Sequence, residues 1–255
     1  MKLLAIGDIT GPRGIEHLKA KLWDFRRAES IDLVVANAEN AGFIVGPRPA
    51  AVDEIFMAGV DFITSGNHIF QNYDLWHYLD ESDRIIRPAN YPAEAPGKGY
   101  SYAEMCGYRV LVISLLGRSF MEPDLDCPFR TVDRILSAEE GRFDFAMVDF
   151  HAEATAEKKA LGYYLDGRAS VVWGTHTHVP TADEAILPRG TAYISDVGMC
   201  GPQDGVLGLD RDIVIRRFLE RIPLRQESAK GEVSAQGIIV ELDSSSVKSI
   251  RRCEF

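Results

Sequence analysis

An α/β sandwich, with central β-sheets flanked by α-helices, is the fold class this sequence predicts, and three observations carry the expectation. Short apolar runs alternate with helical patterns almost from the first residue to the last, the signature of helices packed on a mostly buried sheet. The 255 residues are 46% apolar and 26% charged, a mix unlike that of disordered chains. A chain of this length can bury roughly three-quarters of its unfolded surface. No repeat, charge block or Gly/Ser linker divides it, so residues 1–255 are expected to form one domain.

The elements follow in order. The first strand, 2–7, is an apolar run stopped by Asp8. Helix 14–28 places Ile15, Leu18, Leu22 and Phe25 at three- and four-residue spacing. Strand 32–36 is followed by helix 49–58, which opens on Pro49, a residue suited to a first helical turn. Strand 60–65 and helix 72–79 complete the first half. Residues 87–99 carry Pro88, Pro92 and Pro96 and read as a folded loop beside the site. Strand 108–115, helix 131–139, strand 143–149, helix 155–165 and strand 169–174 continue the alternation. Strand 191–195, helix 212–221 and strand 235–242 close it. Residues 198–208 hold four glycines and predict a second long loop, which either covers the site or forms a contact between copies in a homo-oligomer.

Composition excludes several functions. Lys and Arg total 28 against 38 Asp and Glu, a net charge of -10, so a surface that coats duplex nucleic acid is not expected. The four cysteines, Cys106, Cys127, Cys200 and Cys253, form no C-x-x-C pair and read as reduced thiols of a cytoplasmic protein, none of them a metal ligand. The first apolar run meets Asp8 before a signal-peptide core could form. No later run approaches a membrane-spanning ~18 residues. Neither export nor membrane attachment is expected.

Five strands share one habit: the last apolar residue is followed at once by a metal-competent polar group. The endings are Asp8, Asn37-Ala38-Glu39-Asn40, Gly66-Asn67-His68, His151 and His176-Thr177-His178. In open α/β sheets ligands bind outside the carboxyl ends of strands, so these endings can converge on one rim. Four of the six histidines occupy them, whereas His17 and His77 lie in helical patterns and read as ordinary polar residues. In extended chain His176 and His178 would point to one side. Asp8, Glu39, Asn40, Asn67, His151, His176 and His178 supply carboxylate, carboxamide and imidazole donors beyond the capacity of one ion. A set of N and O ligands with a bridging carboxylate, for which Glu39 is the candidate, suits two Mn, Fe, Zn or Co ions. With Asp8, Glu39 and a bridging hydroxide, two divalent ions leave a formal charge of about +1, which leans towards a singly charged phosphodiester.

Taken in order, these motifs resemble the calcineurin-like metallophosphoesterase superfamily, with two departures: Asp8-Ile9-Thr10 replaces D-x-H, and Asn37-Ala38-Glu39-Asn40 replaces G-D-x-x-D. The departures match one bacterial subfamily. NAEN at 37–40, GNH at 66–68, RPANYP at 87–92, PGKGY at 96–100, VDFHAEAT at 148–155, GTHTHV at 174–179 and DVGMCGP at 196–202 resemble the YmdB-like phosphodiesterases over nearly the whole chain. The resemblance implies a metallophosphoesterase-like sandwich and a di-metal enzyme that opens 2′,3′-cyclic nucleotides, and other small phosphodiesters, to 3′-nucleotides. Asp8, Glu39, Asn40 and His178 would hold one ion, and Glu39, Asn67, His151 and His176 the other. Iron or manganese is favoured, ahead of zinc or cobalt. A metal-bridging hydroxide would attack phosphorus, with His68 as general acid; in an extended segment Asn67 would face the other way, separating ligand from acid.

Weaker signals accompany these. Arg87 and Arg130 either steer an anionic substrate or are solvated surface charges. Asp149 and Glu153 flank His151 and either orient its imidazole or cap local structure. Two other functional classes remain in view: a regulatory cyclic-nucleotide- and metal-binding module influencing RNA turnover, and a phosphomonoesterase or nuclease on the same scaffold. An unliganded acid at His68 argues against the former, and the acidic charge balance against long nucleic acids for the latter.

Overall fold

The computed structural model describes residues 1–42, 45–244 and 246–255. Four layers are stacked, helices on the outer faces of two sheets that pack against each other. The first sheet runs β2 (Asp8–Ile9), β11 (Met199–Pro202), β12 (Val233–Asp243), β1 (Lys2–Ile6), β3 (Leu33–Asn37), β4 (Phe62–Thr64), with β13 (Ser246–Glu254) alongside β12. The second runs β5 (Tyr100–Met105), β6 (Tyr108–Leu116), β7 (Phe145–His151), β8 (Val171–Thr175), β10 (Ala192–Ile194), β9 (Ala185–Ile186). In the first sheet β1, β3 and β4 are parallel. In the second, β6, β7, β8 and β10 are parallel, so their carboxyl ends share one edge.

Period-two alternation decides which residues enter which core. Leu3, Ala5, Leu33, Val35, Ile238 and Val240 face Val110, Val112, Phe145, Met147, Val171 and Trp173 across the middle of the sandwich. Their alternates Leu4, Ile6, Val34 and Ala36 turn outward to Leu18 and Leu22 of α1 (Gly11–Glu29), Val52 and Ile55 of α2 (Pro49–Met57) and Leu75 and Leu79 of α3 (Asp74–Glu81). On the far face Leu111, Ile113, Ala146 and Val148 meet Val132 and Ile135 of α4 (Pro128–Ala138) and Leu161 and Leu165, at the end of α5 (Thr155–Tyr164). Both faces of both sheets are covered, which is why the strands read as continuous apolar runs.

All six expected helices are present, α6 being Arg211–Glu220. Helix α1 begins earlier than residue 14 because Pro12 occupies its first turn. Corrections concern the strands. The glycine-rich stretch 198–208 is not wholly loop, since β11 pairs with β2 and β12 inside it. Strands β2, β5, β9 and β13 were not expected: β2 and β9 have two residues each, and β13 is largely exposed and lacks an apolar face. Strand β7 reaches His151, two residues beyond the expected end.

Candidate metal centre

The strand-end residues meet where the carboxyl ends of the two sheets face each other. Asp8, Glu39 and His151 are fully buried and Asn40 nearly so. Glu39 occupies the middle. Its Oε2 lies 3.1 Å from His151 Nε2, and its Oε1 lies 3.1 Å from His68 Nδ1 and accepts from Asn40 Nδ2 at 2.8 Å. His176 Nδ1 stands 3.1 Å from His151 Nε2, completing a trio of Glu39, His151 and His176 whose donor atoms all lie within 4.8 Å of one another. On the other side His178 Nε2 is 3.1 Å from Asn40 Nδ2 and 3.8 Å from Asp8 Oδ1, while Asp8 Oδ2 accepts the His176 backbone N–H at 3.0 Å.

Two segments adopt shapes other than those expected. His176 (φ 96°) and His178 (φ 62°) are left-handed, not extended, and this turn, rather than strand alternation, carries both imidazoles into one site. Residues 67–70 are a turn too, so Asn67 and His68 are not on opposite sides of an extended segment. His68 directs Nδ1 at Glu39 and Asn40 Oδ1 (3.1 Å each), while Nε2 has no hydrogen-bond partner among the described residues. The preceding Gly66 makes this approach feasible: a Cβ there would lie 2.3 Å from Glu39 Oε2 and 2.4 Å from His151 Nε2.

The imidazoles are held from behind by different devices. His151 Nδ1–H donates to Thr175 Oγ1 at 2.9 Å, and that hydroxyl donates to Asp149 Oδ1 at 2.7 Å. Asp149 is fully buried and also accepts from Asn37 Nδ2 at 3.0 Å and from Thr64 Oγ1. His178 Nδ1 faces the Leu207 carbonyl oxygen at 3.3 Å, and His176 Nε2 faces Glu153 Oε2 at 3.1 Å. Each ring therefore turns its remaining nitrogen to the centre. Of the flanking acids, Asp149 reaches His151 through Thr175 and, more loosely, through Asn37, whose Nδ2 lies 3.5 Å from His151 Nδ1, and Glu153 serves His176 instead of His151.

Beneath the 174–178 turn lies a buried ion pair. Lys158 Nζ donates to Asp196 Oδ2 and to the Thr175 carbonyl oxygen, both at 2.7 Å, and Asp196 Oδ2 also accepts from Thr177 N (3.1 Å) and Oγ1 (2.8 Å). Thr175, Asp196 and Asn37 lie within the GTHTHV, DVGMCGP and NAEN motifs, whose residues alone do not assign them this work. Lys158 carried one signal, a cation on the inward stripe of a helix. Arg87 is buried and binds the carbonyls of Pro88, Pro92 and Ala95, so it closes the proline loop rather than steering substrate or standing in solvent as a surface charge. Arg130 is exposed on α4. His17 binds the Phe255 carbonyl, His77 is a surface residue beside Glu81, and all four cysteines are free thiols away from the cluster.

Electrostatics reflect the crowding. Burial alone would push the Glu39 carboxyl up, but His151 and His68 hold it well below the usual range. Burial opposes charge on His151 as well, yet Glu39 and Asp8 raise it to about 9. Burial and then the neighbouring His151 cation lower His176 to about 3, and burial raises Asp8. Buried Asp8 Oδ1 and Asn67 Oδ1 have no hydrogen-bond partner among the described residues, an omission that costs free energy unless something else binds there. Two orphaned oxygens, imidazole nitrogens converging on each other and a carboxylate shared between them fit a divalent cation centre. Asn40 fits as an oxygen ligand only with its amide turned over, since its NH₂ now faces Glu39 and His178.

Residues 4–253 match the YmdB-like protein family. The chain is 41% identical over 251 residues, 98% of its length and 95% of the relative's, to a 2′,3′-cyclic-nucleotide 2′-phosphodiesterase of Bacillus subtilis. Among solved structures, a hypothetical protein from Thermus thermophilus superposes with a TM-score of 0.94 at 40% identity, covering 100% of this chain and 99% of that one. A structure described as a novel phosphatase of Mycoplasma pneumoniae gives 0.92 at 32% identity, with coverage of 100% and 93%. No helix among the described residues is long and apolar enough to cross a membrane.

Proposed function

The chain belongs to the YmdB-like family of calcineurin-like metallophosphoesterases, enzymes of phosphoester hydrolysis that use divalent metal ions, and on that premise we propose that it opens 2′,3′-cyclic nucleotides to 3′-nucleotides. Residues 1–255 would act as one domain on a small anionic substrate. The observation that carries this reading is the position of Glu39, which turns one oxygen to His151 and the other to Asn40 and His68. That division supports two ions, one among Asp8, Glu39, Asn40 and His178 and the other among Glu39, Asn67, His151 and His176. Iron or manganese, when bound, would polarise the phosphoryl oxygens and lower the pKa of water for attack.

The protein's own groups do the rest. Thr175, Leu207 and Glu153 fix the three imidazoles, so that the floor beneath the phosphoryl group is set before substrate arrives. His68 is anchored through Nδ1 and partly exposed, which leaves Nε2 to give a proton to the departing ribose 2′-oxygen, a strong base that leaves poorly without one. The test is direct. Protein loaded with manganese or iron is assayed on 2′,3′-cyclic, 3′,5′-cyclic and monoester nucleotides, and 3′-nucleotide is expected as the main product of the first. Preference for the monoester would replace this reading with a phosphatase.

A further inference from the structure

Beyond β6 the chain makes a short loop held in an uncommon shape. Leu116, the last residue of β6, pairs with His151 across the parallel ladder, and Gly117 donates its N–H to the His151 carbonyl oxygen at 2.9 Å. The loop therefore leaves the sheet one strand spacing, ~4.8 Å, from a residue of the candidate centre. Glu157, in the first turns of α5, then grips it: its carboxylate accepts the backbone N–H of Arg118 at 3.1 and 3.2 Å and that of Ser119 at 3.1 Å. Next comes Phe120 in the left-handed region (φ 62°), a conformation that an aromatic residue rarely adopts. Its ring is 91% exposed, the most exposed large hydrophobic side chain among the described residues.

The fold gains little from that ring. It buries almost no surface, while the turn that presents it is strained and takes the whole carboxylate of Glu157 to hold. An exposed apolar face on a loop that leaves the sheet beside His151 suits the nucleobase, because every base has a π-face and stacking on an aromatic does not depend on base identity. Resting on the cyclic-nucleotide reading above, we propose that Phe120 determines specificity by stacking on the base of the bound nucleotide, with Glu157 as the positioning residue. The phosphodiester then lies over Glu39 and His151, and the sugar bridges outward to the loop.

The test compares adenosine 2′,3′-cyclic phosphate with ribose 2′,3′-cyclic phosphate, which keeps the reacting group and lacks the base. Phe120→Ala is expected to lower kcat/KM on the nucleotide about 5- to 150-fold, through KM, matching ~1–3 kcal/mol of stacking at 1.4 kcal/mol per tenfold. The base-less substrate should lose far less. Phe120→Trp should restore the nucleotide preference, and Glu157→Ala should show the same substrate-dependent loss in milder form. Equal losses on both substrates, or a loss confined to kcat, overturn the stacking role. A changed oligomeric state with both substrates affected alike assigns the ring to a contact between chains and overturns it too. Wild-type protein that cleaves p-nitrophenyl phosphate but neither cyclic substrate refutes the cyclic-nucleotide reading itself, and the stacking role with it.

Discussion

Replacing Thr175 by valine keeps the size and branching of a fully buried side chain and removes only its hydroxyl. That oxygen accepts from His151 Nδ1 at 2.9 Å and donates to Asp149 Oδ1 at 2.7 Å. Both partners are completely buried, so water cannot take the place of the hydroxyl. Each stranded group costs ~1–3 kcal/mol. Asp149 still keeps Asn37 and Thr64 as donors, which moderates its share, so we expect ~2–4 kcal/mol of lost stability in the metal-free protein. At this chain length that is a fall in Tm of about 5–15 °C. Affinity for zinc, measured by competition with a chelator, should fall about 10- to 100-fold, as it does when a histidine ligand loses its outer partner. Thr175→Ser returns the hydroxyl and should recover most of both. Unchanged Tm and metal affinity in Thr175→Val would refute the reasoning, as would a serine variant no better than the valine one.

Three further outcomes follow from the same geometry. Glu39→Gln should lose one bound ion by elemental analysis and most phosphodiesterase activity with the fold intact by circular dichroism; wild-type turnover with full metal content would show that Glu39 is no bridge. His68→Ala should retain its metal content yet slow cyclic-nucleotide hydrolysis by ~10²–10⁴, with a much smaller effect on a p-nitrophenyl phosphodiester, whose leaving group needs no proton; equal losses on the two would deny the acid role. His151, raised from 6.5 to about 9, stabilises the metal-free protein fully below about pH 6.5, and that contribution is lost as pH rises through about 9. Loading metal at pH 7 should accordingly expel close to one proton from His151, read by calorimetry in buffers of different ionisation enthalpy; zero release would contradict the assignment.

Eight of the strands, the six helices and the gathering of the strand-end polar residues were legible because each depends on local pattern. Leu3 and Leu4 announce a strand buried on both faces, and a polar residue directly after such a run marks its carboxyl end. What stayed illegible depends on pairs distant in sequence. Thr175 and Asp149 are 26 residues apart, Asn37 and Asp149 112, and nothing in either neighbourhood says that they touch. The left-handed turns at His176 and His178 escaped for another reason: they are strained conformations imposed by Asp196 and Lys158 from outside, against the local preference for extended chain. Strand β13 escaped because its side chains are half in water, so its partner β12, not its own pattern, makes it a strand.

Asp149 gathers Asn37 and Thr64 from the ends of β3 and β4 and Thr175 from the end of its neighbour β8, so one carboxylate ties strand ends of both sheets together. Sliding one sheet past the other would break the two bonds that cross between them, to Asn37 and Thr64, among fully buried groups. Shear between the sheets is thereby made costly as a way of admitting substrate or releasing product. Access is then left to movements that keep the two sheets in register, such as those of the loops at the strand ends.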